Sequence, residues 1–268
     1  MSRQTMTFTA LGSGSKGNAF AIQSGDSVIL VDAGFSCREL CCRLTRAGIA
    51  PDSVQAVLLT HDHTDHACGC RVFCDKMQIP LYSASLTVDY LDNMECLPAR
   101  VFEFQAGSRF ELAGFEVSTF PVSHDACDPV GFVLRKGETS LGIATDLGIA
   151  DDTVRNALTG CNMLVFESNY DLAMLETSKR PPMLKKRIRS FKGHLGNTDS
   201  MQELTRLISE ETRMVTLVHV SRECNDYTLV EEAAREMLSS IHREDLYLDV
   251  ARQEDIRAPF TFDRSGAQ

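Results

Sequence analysis

The sequence of 268 residues has no tryptophan, and it contains no apolar run of the roughly 20 residues that a transmembrane helix requires. Its first residues also lack the apolar core of a secretory signal. We therefore expect neither a membrane partner nor export. Basic residues are scarce as well, because 27 Lys and Arg stand against 37 Asp and Glu, for a net charge of −10. This balance excludes a protein whose whole surface binds nucleic acid, but it leaves room for a local basic patch.

The overall composition is that of an ordinary globular protein, with 43% hydrophobic and 24% charged residues. Ten cysteines without a signal sequence predict reduced thiols in the cytoplasm rather than a disulfide framework. Short apolar runs bounded by Gly, Asp and Asn predict strands in the first half, and the last third alternates helix and strand patterns. Gly107 and Gly114 predict two hairpin turns. We expect one mixed α/β domain over residues 1–268.

The strongest local signal is the segment from His61 to His66, which follows the apolar run 56–59. It holds three His and two Asp within six residues. Since His61 and His63 are two apart, both can face one point while the strand is still extended. Asp65 and His66 follow as the chain turns. Imidazole nitrogen and carboxylate oxygen suit Zn²⁺ and related first-row ions, so this segment predicts a metal site.

Three lone polar residues, His124, Asp146 and His219, come at or near the ends of other apolar strands. Each one taken singly is typical of a satisfied core residue or a turn. Taken together with the first segment, they supply the further ligands that two metal ions need. The glycine-rich segment 12–17 matches G-x-G-x-x-G, but a strand pattern follows it where a dinucleotide-binding helix must begin. We therefore predict no nucleotide cofactor and interpret these glycines as a tight turn.

The pattern H-x-H-x-D-H, followed by a lone His, a lone Asp and a lone His, resembles the metallo-β-lactamase superfamily. Further segments resemble its small bacterial YycJ/WalJ-type members, which are assigned as DNA exonucleases: residues 11–18, 124–131, 167–171 and 193–197. The resemblance implies a four-layer αββα sandwich and covers nearly the whole chain. It also implies that Asp32 braces the site rather than binding metal. Glu167 and Asn169 would help to shape the site, although an ordinary polar turn is the alternative.

The resemblance further implies two divalent cations, zinc or manganese, with iron as another option. His61, His63 and His124 would hold one ion, Asp65, His66 and His219 the other, and Asp146 would bridge them. Two such ions share a water, lower its pKa, and stabilise both oxygens of a displacement at phosphorus. Asp65, which only accepts hydrogen bonds when ionised, would also orient the bridging hydroxide. Asp65 is therefore predicted to be catalytic as well as a ligand.

Two features favour nucleic acid among the substrates of this superfamily, and the resemblance to YycJ/WalJ-type members makes DNA the expected one. His194 resembles the non-ligand His that reaches the scissile phosphate in tRNase Z, and an imidazolium there could protonate the leaving oxygen. The basic segment, residues 176–192, holds seven Lys or Arg against one Glu. Lys185, Arg189 and Lys192 have the spacing of one helical face. The predicted substrate contacts are Lys185, Lys186, Arg187, Arg189, Lys192, Ser221 and Asn225.

Other readings of the same residues stay open. A small thioester or lactone hydrolase would use the same metals without the basic segment or His194. A non-hydrolytic redox or binding domain is the third class, but the redox variant favours Glu at position 63. A surface His or a helix cap is the alternative for His194, and an ordinary solvated helix face is the alternative for the basic segment.

Overall fold

A computed structural model describes residues 5–263 of the chain. Within this range the chain forms fourteen strands and nine α-helices, together with a short 3₁₀ turn at Pro51–Ser53. The strands are β1 (Met6–Gly12), β2 (Ala19–Ser24), β3 (Ser27–Val31), β4 (Val54–Leu58), β5 (Leu81–Ala84), β6 (Val101–Phe104), β7 (Arg109–Leu112), β8 (Phe115–Pro121), β9 (Val130–Lys136), β10 (Thr139–Ala144), β11 (Met163–Glu167), β12 (Met214–Val218), β13 (Tyr247–Val250) and β14 (Phe260–Phe262). The helices are α1 (Cys37–Arg46), α2 (Thr64–Ala67), α3 (Cys70–Met77), α4 (Ser85–Asn93), α5 (Asp152–Leu158), α6 (Leu172–Thr177), α7 (Pro182–Ile188), α8 (Asn197–Leu207) and α9 (Tyr227–Ser240).

The strands form two seven-stranded sheets that pack face to face. The first has the order β14-β1-β2-β3-β4-β5-β6 and the second the order β13-β12-β11-β10-β9-β8-β7. A buried apolar core between the sheets draws on strands of both, including Phe20 and Ile29 from the first and Phe132 and Val165 from the second. Because both sheets share this core, it supports the prediction of a single domain.

Helices cover the outer face of each sheet. Helices α1 and α3 bury Leu40 and Phe73 against the first sheet, and α5, α8 and α9 bury residues such as Leu204 against the second. Local capping agrees with these boundaries, because the side chains of Ser36 and Asp226 accept backbone N–H groups at the starts of α1 and α9. The four layers confirm the αββα fold class.

One predicted turn is wrong. Gly114 lies in a true hairpin, since β7 and β8 pair antiparallel on either side of it. Gly107 lies between β6 and β7, which are the outer strands of different sheets. The chain therefore crosses from one sheet to the other at Gly107, and no local pattern distinguishes such a crossing from a hairpin.

The strand directions bring several strand ends to one edge of the sandwich. β3 and β4 run parallel in the first sheet, and β10, β11 and β12 run parallel in the second. β8 has the same direction as β10, because β9 pairs antiparallel with both. The carboxyl ends of these six strands are where the predicted site residues follow. No helix within residues 5–263 has the length and apolar composition needed to cross a membrane.

Candidate metal centre

The predicted ligands converge at this edge, although they come from widely separated parts of the chain. His61 follows β4 in the first sheet, while His124, Asp146 and His219 follow β8, β10 and β12 in the second. Two of them have left-handed backbone conformations, with φ of 53° at Asp146 and 57° at His219. Residues without the freedom of glycine adopt this conformation at a cost, and such strain is typical of functional sites.

One half of the cluster consists of three imidazoles. The nitrogens of His61, His63 and His124 lie within 4.8 Å of one another, and His124 Nε2 is 3.3 Å from His63 Nδ1. His61 Nε2 is buried and has no hydrogen-bond partner among the described residues. A buried nitrogen without a partner is costly unless something binds it, so this donor set fits a divalent cation.

The other half consists of Asp65, His66 and His219, whose ligand atoms also lie within 4.8 Å of one another. Asp65 Oδ2 is 3.3 Å from His219 Nε2 and 3.7 Å from His66 Nε2. Asp65 and His66 belong to α2, which starts directly after His63. The short helix therefore lets one segment supply ligands to both halves.

Asp146 lies between the two halves, and both of its carboxylate oxygens face imidazoles. Its Oδ2 is 3.0 Å from His66 Nε2, and its Oδ1 is 3.7 Å from His124 Nε2. The same residue also forms a compact group with His61 and His66. A carboxylate in this position has the geometry of a ligand shared between two ions.

The electrostatics of the cluster also fit a cation. Burial lowers the pKa of His219, but Asp146, Asp65 and Glu167 raise it to about 10. Burial has the opposite effect on a carboxyl group and raises the pKa of Asp65, but His66 and His219 lower it to about 2. Within the described part of the chain, the ion-pair partners are all histidines for three carboxylates: Asp65, Asp146 and Glu167. These buried carboxylates need positive charge, which two divalent ions would supply.

The pKa of His61 is shifted in the opposite direction to that of His219. Burial and the neighbouring His66 hold the pKa of its imidazole well below its usual range. A neutral imidazole has a free lone pair for a metal ion. His61 therefore already has the protonation state of a ligand.

Asp32 lies behind the cluster, and its bracing role stays a prediction from the resemblance. Its Oδ1 accepts hydrogen bonds from the backbone N–H and the hydroxyl of Thr60, at 2.8 and 2.9 Å. Its Oδ2 lies 2.7 Å from His66 Nδ1. A carboxylate on the far nitrogen fixes the ring and leaves Nε2 to face the cluster.

Glu167 is fully buried and contacts two histidines at once. Its Oε1 lies 2.8 Å from both His194 Nδ1 and His219 Nδ1, while its Oε2 accepts the backbone N–H groups of Leu147 and Leu195. A polar turn would leave this carboxylate exposed. The structure instead makes Glu167 the residue that orients His194 and a candidate ligand together.

The glycine-rich loop packs against the cluster through two residues that the sequence analysis did not single out. Ser13 Oγ accepts the backbone N–H of His219 at 2.8 Å and donates to Asn18 Oδ1 at 2.7 Å. Asn18 Nδ2 lies 3.0 Å from His66 Nε2. Residues 13 and 18 flank the tight turn, and both lie in the segment 11–18 that carries part of the family resemblance, which is the signal that could have indicated them.

A cavity of about 220 Å³ opens beside the cluster. Its walls include His63, Asp65, Asp146, His194 and His219 on one side and parts of the basic segment on the other. His194 is thus placed at the cavity with its Nδ1 held by Glu167. This is the position expected for a residue that contacts the substrate.

The predicted substrate contacts divide into two groups. Arg187 and Ser221 line the cavity, and so does Arg180, which was not among the predicted contacts. Lys185 and Arg189 are directed elsewhere, because the Lys185 ammonium donates to the carbonyl of Glu176 and the Arg189 guanidinium pairs with the Glu176 carboxylate.

The other predicted contacts lie outside the residues that line the cavity. Lys186 and Lys192 are exposed on the surface. Asn225 is buried, and its amide exchanges hydrogen bonds with Asn197 in both directions. The predicted helical face is also wrong, since α7 ends at Ile188 and leaves Lys192 beyond the helix.

A sandwich of two mixed sheets between helices, with a cluster of His and Asp at one sheet edge, defines a class of metal-dependent hydrolases. The chain belongs to the beta-lactamase superfamily, whose domain family matches residues 27–220. The chain is also 32% identical to the exodeoxyribonuclease YycJ of Bacillus anthracis over 239 residues, covering 88% of this chain and 89% of that protein. It is 29% identical to the exodeoxyribonuclease WalJ of Streptococcus pneumoniae over 254 residues, covering 93% of each.

The fold has solved counterparts as well. The metallo-β-lactamase fold protein YhfI from Bacillus subtilis superposes with a TM-score of 0.72 at 15% sequence identity, covering 97% of this chain and 100% of that one. This similarity at low identity shows that the fold is shared.

Proposed function

We propose that the protein is a metal-dependent exonuclease that hydrolyses phosphodiester bonds of DNA. The observation that carries the proposal is the placement of His194, which lines the cavity 3.6 Å from Asp146 and is held by Glu167. An imidazole anchored through Nδ1 presents its Nε2 to the substrate. A thioester releases a thiolate, which leaves without a proton donor, whereas a phosphodiester releases an alkoxide that needs a proton and passes through a transition state whose charge needs stabilising.

The metal ions would be held as the cluster indicates. His61, His63 and His124 form one set and Asp65, His66 and His219 the other, with Asp146 shared between them. Nitrogen-rich ligation suits zinc, manganese or iron. When bound, two divalent ions supply a water of lowered pKa and stabilise the negative charge that develops on the phosphate.

Asp65 and His194 would divide the proton chemistry between them. The low pKa of Asp65, which His66 and His219 cause against the effect of burial, keeps this carboxylate ionised. It can therefore accept a hydrogen bond from the attacking water while it also binds metal. His194 would hold a proton on Nε2 for the leaving oxygen, and Glu167 would stabilise that imidazolium.

The similarity to YycJ and WalJ favours DNA, because both are exodeoxyribonucleases that align with nearly the whole chain. The same two relatives favour attack at an end of the strand, because both are exonucleases. The expected cytoplasmic location stays a prediction, which rests on ten cysteines that lie in the described region and are unpaired.

The test is a nuclease assay on the metal-reconstituted protein with labelled single- and double-stranded DNA and RNA. We expect His194→Ala to lose activity about a hundredfold while it retains metal, because general acid catalysis typically contributes a factor of roughly 10²–10⁴. His242→Ala is the matched control, since His242 is exposed beyond the end of α9. Full activity in His194→Ala would remove the support for the phosphate role.

The small cavity volume favours one alternative, which is a hydrolase of a small thioester or lactone. The same assay separates the two functions. If the wild-type protein with metal cleaves no nucleic acid, but hydrolyses a small ester, the alternative replaces the nuclease.

A further inference from the structure

Phe191 is a large apolar side chain on the surface close to the metal centre. Its exposed fraction is 67%, and no aromatic ring or guanidinium among the described residues stacks on it. Single exposed apolar side chains are common on protein surfaces, and Phe191 is distinguished from the others by its place beside the candidate metal centre. The sequence alone gave no sign of a platform for bases.

The backbone places Phe191 at the tip of a tight turn. The N–H of Gly193 donates to the carbonyl of Ser190 at 2.8 Å, so Phe191 and Lys192 occupy the two central positions of the turn. The next residue but one after Lys192 is His194, whose N–H returns to the carbonyl of Ile188 at 2.9 Å. The turn therefore lies between the basic segment's last helix and the residue that faces the scissile phosphate.

Two loops that carry candidate ligands hold this turn in place. Ser123 Oγ donates to the carbonyl of Phe191 at 2.8 Å, directly before His124. Gly148, two residues after Asp146, packs so closely that a Cβ there would lie 2.4 Å from the carbonyl of Phe191. The ring is thus exposed while its backbone is fixed to the metal centre. A fixed backbone lowers the entropy that a binding side chain must lose.

We propose that the Phe191–Lys192 turn binds an unpaired nucleotide next to the scissile bond, with the base stacked on Phe191 and its phosphate beside Lys192. This inference rests on the proposed nuclease function and narrows its substrate to single-stranded or frayed ends. Proteins that bind single strands combine an aromatic surface with cationic side chains in this way. A base within a duplex has both faces covered, so it offers no surface to the ring.

The distance along the chain agrees with such a contact. Phe191 and His194 are three positions apart in the chain, and a chain of that length spans at most about 11 Å. The turn is therefore within reach of a nucleotide whose neighbouring phosphate lies at His194. Phe191 would be a specificity-determining residue, and it would take no part in the bond-breaking step.

The test compares substrates that do and do not carry the base. Cleavage and binding are measured for the metal-loaded full chain with a single-stranded oligonucleotide and with copies that carry one abasic site at successive positions near the end. We expect Phe191→Ala to raise KM about tenfold or more on the intact oligonucleotide. On the copy lacking the stacked base it should have no effect. Metal content and thermal unfolding of Phe191→Ala should be unchanged.

Two further variants complete the design. Phe102→Ala is the matched control, because Phe102 is also an exposed phenylalanine, at 48%, but it lies on the outer strand β6 and stacks on Tyr82. Phe191→Trp should keep a low KM. It also introduces the sole tryptophan of the chain, whose fluorescence should be quenched when the oligonucleotide binds.

The outcomes are distinct. Equal KM values for wild type and Phe191→Ala on the intact oligonucleotide, in an active nuclease, would overturn this inference and leave the proposed function standing. An equal loss on the copy that lacks the stacked base would make Phe191 a structural residue and would also overturn it. A wild-type protein that neither binds nor cleaves any nucleic acid would overturn the proposed function and this inference with it.

Discussion

The cluster of candidate metal ligands and the basic segment face the same cavity, but the first is buried and the second is exposed. The cluster's ligands follow strands of both sheets, and buried carboxylates such as Asp32 and Glu167 hold their far nitrogens. The basic segment consists of the end of α6, the short helix α7 and exposed turns, and several of its charges pair with surface acids. Buried, mutually braced groups tolerate little change, whereas exposed ion pairs exchange partners at small cost.

This contrast suggests a division of roles. The cluster would determine the chemistry, because its geometry is set by the core of the sandwich. The basic segment would determine which substrate reaches that chemistry, because it forms the outer wall of the cavity. Substitutions in the first region should then change turnover and metal content, and substitutions in the second should change KM and salt dependence.

The largest effect is expected for His63→Ala. His63 is one of three imidazoles in its half of the cluster, and its removal leaves two nitrogens for that ion. Metal content should fall, and kcat should fall by more than the roughly 10- to 100-fold cost of losing a residue that only supports a ligand. Metal analysis after dialysis, together with kcat, checks this. Normal values of both would show that His63 is not a ligand.

A smaller effect is expected for Glu167→Gln. The neutral amide is a weaker hydrogen-bond acceptor than the carboxylate for both His194 Nδ1 and His219 Nδ1. Both rings therefore lose the strong contact that orients them. We expect kcat to fall about 10- to 100-fold while most of the metal stays bound. Thermal unfolding of the same sample separates this from a folding defect. A change in KM without a change in kcat would mean that Glu167 acts on substrate binding, as the basic segment is expected to do. The proposed contrast between the two regions would then be wrong.

The smallest effect is expected in the basic segment, and it should differ between two of its members. Arg187 lines the cavity and pairs there with Asp125, whereas Lys185 is directed to the carbonyl of Glu176. Arg187→Gln should raise KM for DNA and reduce the slope of log K against log salt by about 0.7–0.9, the value of one phosphate contact. Lys185→Gln is the matched control and should leave that slope unchanged. Equal slopes for the two variants would mean that the segment acts only through its total charge.

The candidate metal ligands are recognisable in the sequence because their pattern is dense and local. Three His and two Asp directly after one apolar run already indicate a site, and lone polar residues at other strand ends complete it. The role of Glu167 was harder to recognise. A single carboxylate after a buried strand has the same pattern whether it holds two imidazoles or caps a turn.

The basic segment shows the opposite case. The sequence shows seven positive charges in this segment, but it does not show where any of these side chains points. Since α7 ends at Ile188, the spacing that suggested one helical face for Lys185, Arg189 and Lys192 does not apply. The exposed ring of Phe191 was likewise invisible, because nothing in a short polar stretch distinguishes a buried phenylalanine from an exposed one.

The sequence by itself determined the strand and helix periods, the αββα class through its family pattern, and the identities of the candidate ligands. These follow from short-range rules, in which side-chain spacing and residue type act within a few positions. Only the tertiary structure decided that Gly107 crosses between sheets, that Asp146 lies between two groups of histidines, and which cations face the cavity. These depend on which strands become neighbours, and that is set by burying both sheets against one shared core.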